Sequence, residues 1–247
     1  AEEGVGEEPK VLNAIYPVVL VNGTSGIGVS VASRIPSFNF GDVIELTVKY
    51  LRNGKLDIED MIVPDFPTGG VIVRDDKELA KIMLTGKGKL RVRAKVEVEG
   101  KIIYVKEIPA DKRVESIISA VNEGGIKEIT SCVNSEGINS KALVTIECRS
   151  KKVVEYVLME LYRRNILQNV YSSNIIVTDD GVPFMPGVYD IVKRWVTWRI
   201  GVVVKKFTKH LADLKEELET LDYFIKLIST PEWKAEYTRR ALYESKK

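Results

Sequence analysis

The chain has 247 residues, 45% of them hydrophobic and 29% charged, with a formal net charge of +2. This is the composition of a globular protein large enough for one large or two modest domains, and it excludes a disordered or collagen-like chain. Cys132 and Cys148 form neither a disulfide framework nor a metal-ligand spacing, and lone His210 has too few partners to build a metal site.

The opening, with Glu2, Glu3, Glu7 and Glu8, is unlike a signal peptide. It reads as a cut into a longer polypeptide or as an exposed linker. "YPVVLVNGTSGIG" is expected to be a buried strand ending in a turn, and "IGVSVASRI" a short helix. A glycine-rich turn feeding a helix could hold a phosphate. However, Gly23, Gly26 and Gly28 match neither nucleotide-binding fingerprint, and no Lys-Ser/Thr pair follows them. Gly41-Asp42 opens a helix through "VIELTVKYLRN", and "VPDFPTGG" is a structural turn without chemistry. Strands and helices then alternate. "GGVIVR" is a strand, "DKELAKIMLT" a helix and "KLRVRAKVEVEGKIIYVKEIP" a hairpin. "RVESIISAVNEG" is a helix, "ALVTIECR" a strand and "VVEYVLMELYRRN" a helix. Hairpins among helices predict an α+β fold and not a regular βαβ series.

The last section follows a different pattern. Ile200, Val204, Phe207, Leu211, Leu214, Leu218, Leu221, Ile225 and Ile228 are spaced by alternating fours and threes. This heptad seam predicts a coiled-coil helix from Val188 to Ser229, roughly 60 Å long at about 1.5 Å per residue, ending before Pro231. Such an arm takes a partner helix from residues beyond Lys247 or from another chain; the alternative is a long helix lying along its own domain. No run approaches the length of a transmembrane helix, and His210 falls on the helix surface.

Charge is concentrated. Between Lys81 and Arg113 there are ten Lys or Arg residues against four acids. "KLRVRAKV" alternates strictly, which predicts Lys89, Arg91, Arg93 and Lys95 on one face of a strand and Leu90, Val92, Ala94 and Val96 on the other. Cations about 6.6–6.8 Å apart match a ladder of phosphates, and Lys87 adds another at the mouth of the strand. A nucleic-acid backbone is the natural counterpart; the alternative is a solvated face that protects a sheet edge.

Several of these pieces carry a resemblance. "YPVVLVNGTSGIGVSVASRIPSFN" resembles the stretch after the catalytic tyrosine in A subunits of type IIA DNA topoisomerases, the bacterial gyrases, topoisomerases IV and phage relatives. The resemblance continues in order through "PDFPTGG", "TGKGKLRVRAKVEVE", "EIP", "LQNVYSSN", "DDGVP" and Trp198-Arg199, covering the chain to about Ile228. It implies four regions. Residues 1–40 would be the end of a winged-helix-type DNA-cutting domain, 41–187 a mixed α/β tower domain, 188–230 a coiled-coil arm and 231–247 the start of the distal dimer gate.

The resemblance also implies roles. An isoleucine in this family wedges between stacked base pairs of the DNA segment to be cut, and Ile27 matches it. Asn22 and Gly23 would shape the turn beside it. Lys87, Lys89, Arg91, Arg93 and Lys95 would contact DNA. From the residues alone, Ile27 is either such a wedge or a core anchor. Family members cleave with a tyrosine hydroxyl that follows an arginine; Tyr237 follows Glu236 and does not match, so no catalytic residue is assigned within this chain. Mg2+ and ATP would be used by the partner B subunit, and the fragment alone would be inactive and need no cofactor. The expected partners are double-stranded DNA, the B subunit, and the A subunit of a second copy in a homodimer, with no membrane, in a cytoplasmic, nucleoid-associated setting. Ser37-Phe38, Gly28-Val29-Ser30-Val31 and Trp198-Arg199-Ile200 depart from the family pattern and mark a divergent member. The competing class is a non-enzymatic DNA- or protein-binding scaffold with a coiled-coil arm.

Overall fold

The structure, a computed structural model, describes residues 12–28, 31–137, 142–179 and 181–244. The acidic start, Val29, Ser30 and Lys247 lie outside the described residues. The fold is mixed α+β, in two compact units, residues 1–196 and 197–247.

The first unit opens with a departure from expectation. Val18–Asn22 is a short helix, α1, and not a strand. The expected helix over "IGVSVASRI" is instead part of a ribbon, β1 (Thr24–Gly28) antiparallel to β2 (Val31–Ile35). Small residues and a ribbon open to solvent leave no buried stripe for a helix to use. Helix α2 (Phe40–Asn53) starts one residue earlier than expected, because the Asn39 side chain caps it by accepting the Gly41 N–H at 2.8 Å. Strand β3 (Val71–Val73) and helix α3 (Asp76–Thr85) follow as expected; Asp75 caps α3 by accepting from the N–H groups of Lys77 and Glu78.

The second correction concerns the basic stretch. It is two strands in two sheets, β4 (Lys87–Arg93) and β5 (Lys95–Glu99). Alternation persists across the break: Leu90, Val92 and Ala94 are all buried, yet each belongs to a different apolar cluster. β5 and β6 (Ile102–Glu107) do form a hairpin. Helix α4 (Val114–Glu123), β7 (Ile129–Asn134), β8 (Val144–Cys148) and α5 (Val154–Arg163) follow. Then come β9 (Gln168–Asn174), β10 (Val177–Asp179) and β11 (Val182–Phe184).

The two larger sheets, both antiparallel, have the strand orders β1-β2-β9-β4-β3 and β5-β6-β8-β7. α4 and α5 bury Ile117, Val121, Val157 and Leu161 with Ile103, Val105, Val144 and Ile146 of the four-stranded sheet. A second core joins Leu20, Ile35, Val43 and Leu46 to Ile82, Met83, Leu90 and Ile175, and to the first turns of α6 (Val188–Ile228) through Val188, Ile191, Val192 and Val196. A small cluster around Phe66, Val92, Ala110 and Tyr171 makes a third.

In the second unit α6 continues to Ile228, and α7 (Pro231–Glu244) follows. Every heptad side chain from Ile200 to Ile228 is between 45% and 63% exposed. His210 is exposed, and the Tyr237 ring stacks on Trp233 with centroids 5.6 Å apart. No described helix is long and apolar enough to cross a membrane.

Candidate nucleic-acid interface

The ribbon and the basic strand share the five-stranded sheet, with β2 and β9 between β1 and β4. All five residues of β1 are exposed, and Ile27, paired opposite Ala32, is 94% exposed. It therefore anchors no core. Burying such a side chain is worth about 1.5–3 kcal/mol, and here that free energy is left for whatever the ribbon meets. Asn22, the last residue of α1, is exposed. Gly23 has a steric reason to be glycine. Its φ is 60°, and an added Cβ would stand 2.7 Å from Ser37 N and 2.9 Å from Ile35 O. The backbone can fold α1 back against the end of β2 only without that atom.

On β4, Lys87, Lys89 and Arg91 are exposed, and Arg93 is partly buried. Their cross-strand neighbours on β9 are Asn174, Ser172, Val170 and Gln168, and on β3 Val73 lies opposite Arg91 and Val71 opposite Arg93. No carboxylate stands opposite these cations, and among the described residues Lys87, Lys89 and Arg91 make no ion pair. Glu78 does accept the Lys89 backbone N–H at 2.8 Å, but its other oxygen is held by the Lys81 ammonium. Arg93 is more committed. Its Nε donates to Gln168 Oε1 at 3.2 Å, and its guanidinium lies 5.0 Å from the Tyr162 ring centroid.

Lys95 does not continue this row. It sits on β5, in the other sheet, and its ammonium donates to Glu107 Oε1 at 2.8 Å. Glu107 Oε2 also accepts the Gly70 N–H at 2.7 Å. These two bonds, Lys95 first, hold the Glu107 carboxyl below the usual carboxylate range, and Glu107 in turn raises Lys95.

The sequence does not single out Arg34, which there is one cation in an expected short helix. Its guanidinium lies 4.3 Å from the Tyr171 ring centroid and pairs with Asp111. Burial pushes the Tyr171 hydroxyl up, and Arg34 opposes that shift.

The exposed cations of β4 form a row suited to an anion, and the perturbed groups among the described residues are not those of an acid–base catalyst. Burial pushes the Cys132 thiol up to about 11, and burial first, then Asp60 and Asp57, pushes Tyr189 up to about 12. Neither is an activated nucleophile. Among the described residues no group of three or more His, Cys, Asp or Glu side chains is arranged to hold a metal ion.

Comparison with known proteins gives these features a context. The family model for the A subunit of DNA gyrase and topoisomerase IV matches residues 1–244. The DNA gyrase A subunit of Chlamydia trachomatis serovar D is 30% identical over 239 residues, covering 90% of this chain and 28% of the relative. The DNA gyrase A subunit of Rickettsia felis is 31% identical over 217 residues, covering 83% of this chain and 24% of the relative. The chain thus spans about a quarter of the length of the curated relatives it matches.

Proposed function

Because the chain belongs to the A-subunit family of DNA gyrase and topoisomerase IV, we propose that it is the part of a type IIA DNA topoisomerase that seats and bends the gate duplex during double-strand passage. Residues 1–40 are read as the end of the DNA-cutting domain, 41–187 as the tower, 188–230 as the arm and 231–247 as the start of the distal gate. The bound partner is double-stranded DNA; in the whole enzyme a second copy of this subunit, together with the B subunit, completes the assembly. Mg2+ and ATP are assigned to that B subunit.

The observation that carries the proposal is one sheet holding both a 94% exposed Ile27 and a row of cations with no carboxylate opposite. Ile27 enters the minor groove and separates two stacked base pairs, at a cost of a few kcal/mol per step. Burying its side chain returns about 1.5–3 kcal/mol, so the wedge roughly breaks even. Net affinity comes from phosphates held by Lys87, Lys89, Arg91 and, less freely, Arg93. Asn22 and Gly23 support the base of the ribbon, and Lys95 contacts phosphate only by leaving Glu107. The half-exposed seam of α6 supports an arm that takes up a second helix.

The test is the salt dependence of duplex binding by the Lys89→Ala/Arg91→Ala variant. An unchanged slope sinks the phosphate assignment and favours a scaffold whose basic strand is incidental.

A further inference from the structure

The ribbon that carries Ile27 is anchored at its base by Ile35, buried in the second core, and beyond that residue it is tied to the rest of the fold at few points. Among the described residues β1 has no strand neighbour except β2, and β2 meets β9 through a single pair, Arg34 opposite Asn174. Two short bonds flank it. Asn174 Nδ2 donates to the Ala32 carbonyl at 2.6 Å, and Ser33 Oγ donates to the Ile176 carbonyl at 2.8 Å. Arg34 makes the contact of longest reach. It lies over Tyr171, which is buried and stands opposite Leu90 of the basic strand, and it pairs with Asp111 in the turn between β6 and α4. Asp111 has a φ of 65°, a conformation that Asp tolerates better than most residues.

We infer that Arg34 is a positioning residue: it fixes the pitch of the Ile27 ribbon against the basic strand, so that wedge and phosphate contacts meet one duplex in register. The functional half of this inference rests on the reading above; the mechanical half does not. A planar guanidinium can stack on a ring and pair with a carboxylate at once, which an ammonium cannot do as well. The buried Tyr171 ring is the fixed surface, and Asp111 holds the guanidinium to it. Without Arg34 the ribbon keeps its buried Ile35 and its bonds at Ala32 and Ser33 but loses the restraint that reaches furthest from its own axis.

The first readout needs no DNA. Spin labels on Ser25→Cys and Lys89→Cys report the distance between ribbon and basic strand. Arg34→Ala is expected to broaden or shift that distribution, Arg34→Lys to do so partly, and the charge-reversed pair Arg34→Asp/Asp111→Arg to restore much of it. Unchanged melting of the unlabelled variants shows that the fold survives. The second readout is the bend of a duplex carrying a donor and an acceptor at its ends. Ile27→Ala should change the bend less than half as much in the Arg34→Ala background as in the native chain, with the salt slope unaltered. An unchanged distance distribution in Arg34→Ala, or a full Ile27→Ala effect in that background, overturns the inference. A native chain that leaves the duplex straight while Arg34→Ala still broadens the distribution refutes the wedge and upholds the positioning role.

Discussion

Replacing Lys89 and Arg91 together with Ala isolates the electrostatic part of binding. Both side chains are exposed and face uncharged neighbours, Ser172 for Lys89 and Val170 with Val73 for Arg91. Their loss should therefore alter folding stability by no more than about 0.5 kcal/mol. Each phosphate contact contributes about 0.9 to the slope of log affinity against log salt, so two contacts contribute about 1.8. Over a fourfold rise in salt, from about 50 to about 200 mM, a slope change of that size corresponds to about a twelvefold difference. The native chain should thus lose about twelvefold more affinity than the variant across that range. Fluorescence anisotropy of a labelled duplex, titrated at four or five salt concentrations, measures both slopes. Two controls sharpen the result. Lys101→Ala removes an exposed cation that pairs with Glu147 at 2.6 Å in the other sheet, and should leave the slope alone. Lys95→Ala should flatten it less than Lys89→Ala does, because Lys95 is engaged by Glu107. Parallel slopes for the native chain and the double variant would refute the phosphate ladder, and a Lys101 effect of equal size would show that any surface cation serves.

Three further outcomes are expected. Ile27→Ala should leave the thermal midpoint unchanged, since the side chain is almost fully exposed, while reducing duplex bending more than low-salt affinity in an end-to-end energy-transfer measurement. Gly23→Ala should destabilise the chain by about 1–3 kcal/mol in urea unfolding, because its positive φ and the Ser37 and Ile35 backbones both oppose a Cβ. Glu107→Gln should weaken the fold at neutral pH. The native carboxyl is held below its ordinary value of 4.5, so its contribution is present above that pH and fades as pH falls through the lowered native value. Unfolding curves of the two proteins should converge in acid; a gap that widens there would contradict the sign.

The elements legible in the sequence are those with an apolar stripe at helical spacing, buried in α3, α4 and α5 and half-exposed along most of α6. α3 runs over the ten residues that its periodicity marks, and α4, α5 and α6 are equally plain. "VVLVN" misleads because a short apolar run fits a buried strand as well as a buried helix turn. The β1–β2 ribbon misleads for the opposite reason: with β1 exposed throughout, period-two burial leaves no trace. In "KLRVRAKV" the alternation holds and the continuity does not, since the chain changes sheets at Ala94 without changing period. Of the candidate interface, the basic row is readable from spacing, and Ile27 from resemblance. Arg34 is not, because Tyr171 and Asp111 are far away in sequence and only the tertiary fold brings them to it.

The change of sheet at Ala94 has a mechanical consequence. Ala94 contributes to the core under α4 and α5, while Val92, two residues before it, packs with Phe66 and Tyr171. One extended backbone is thus threaded through both β-layers as a common rail. A load applied at the cations of β4 passes into the second layer along covalent bonds, with no hinge loop in which to dissipate.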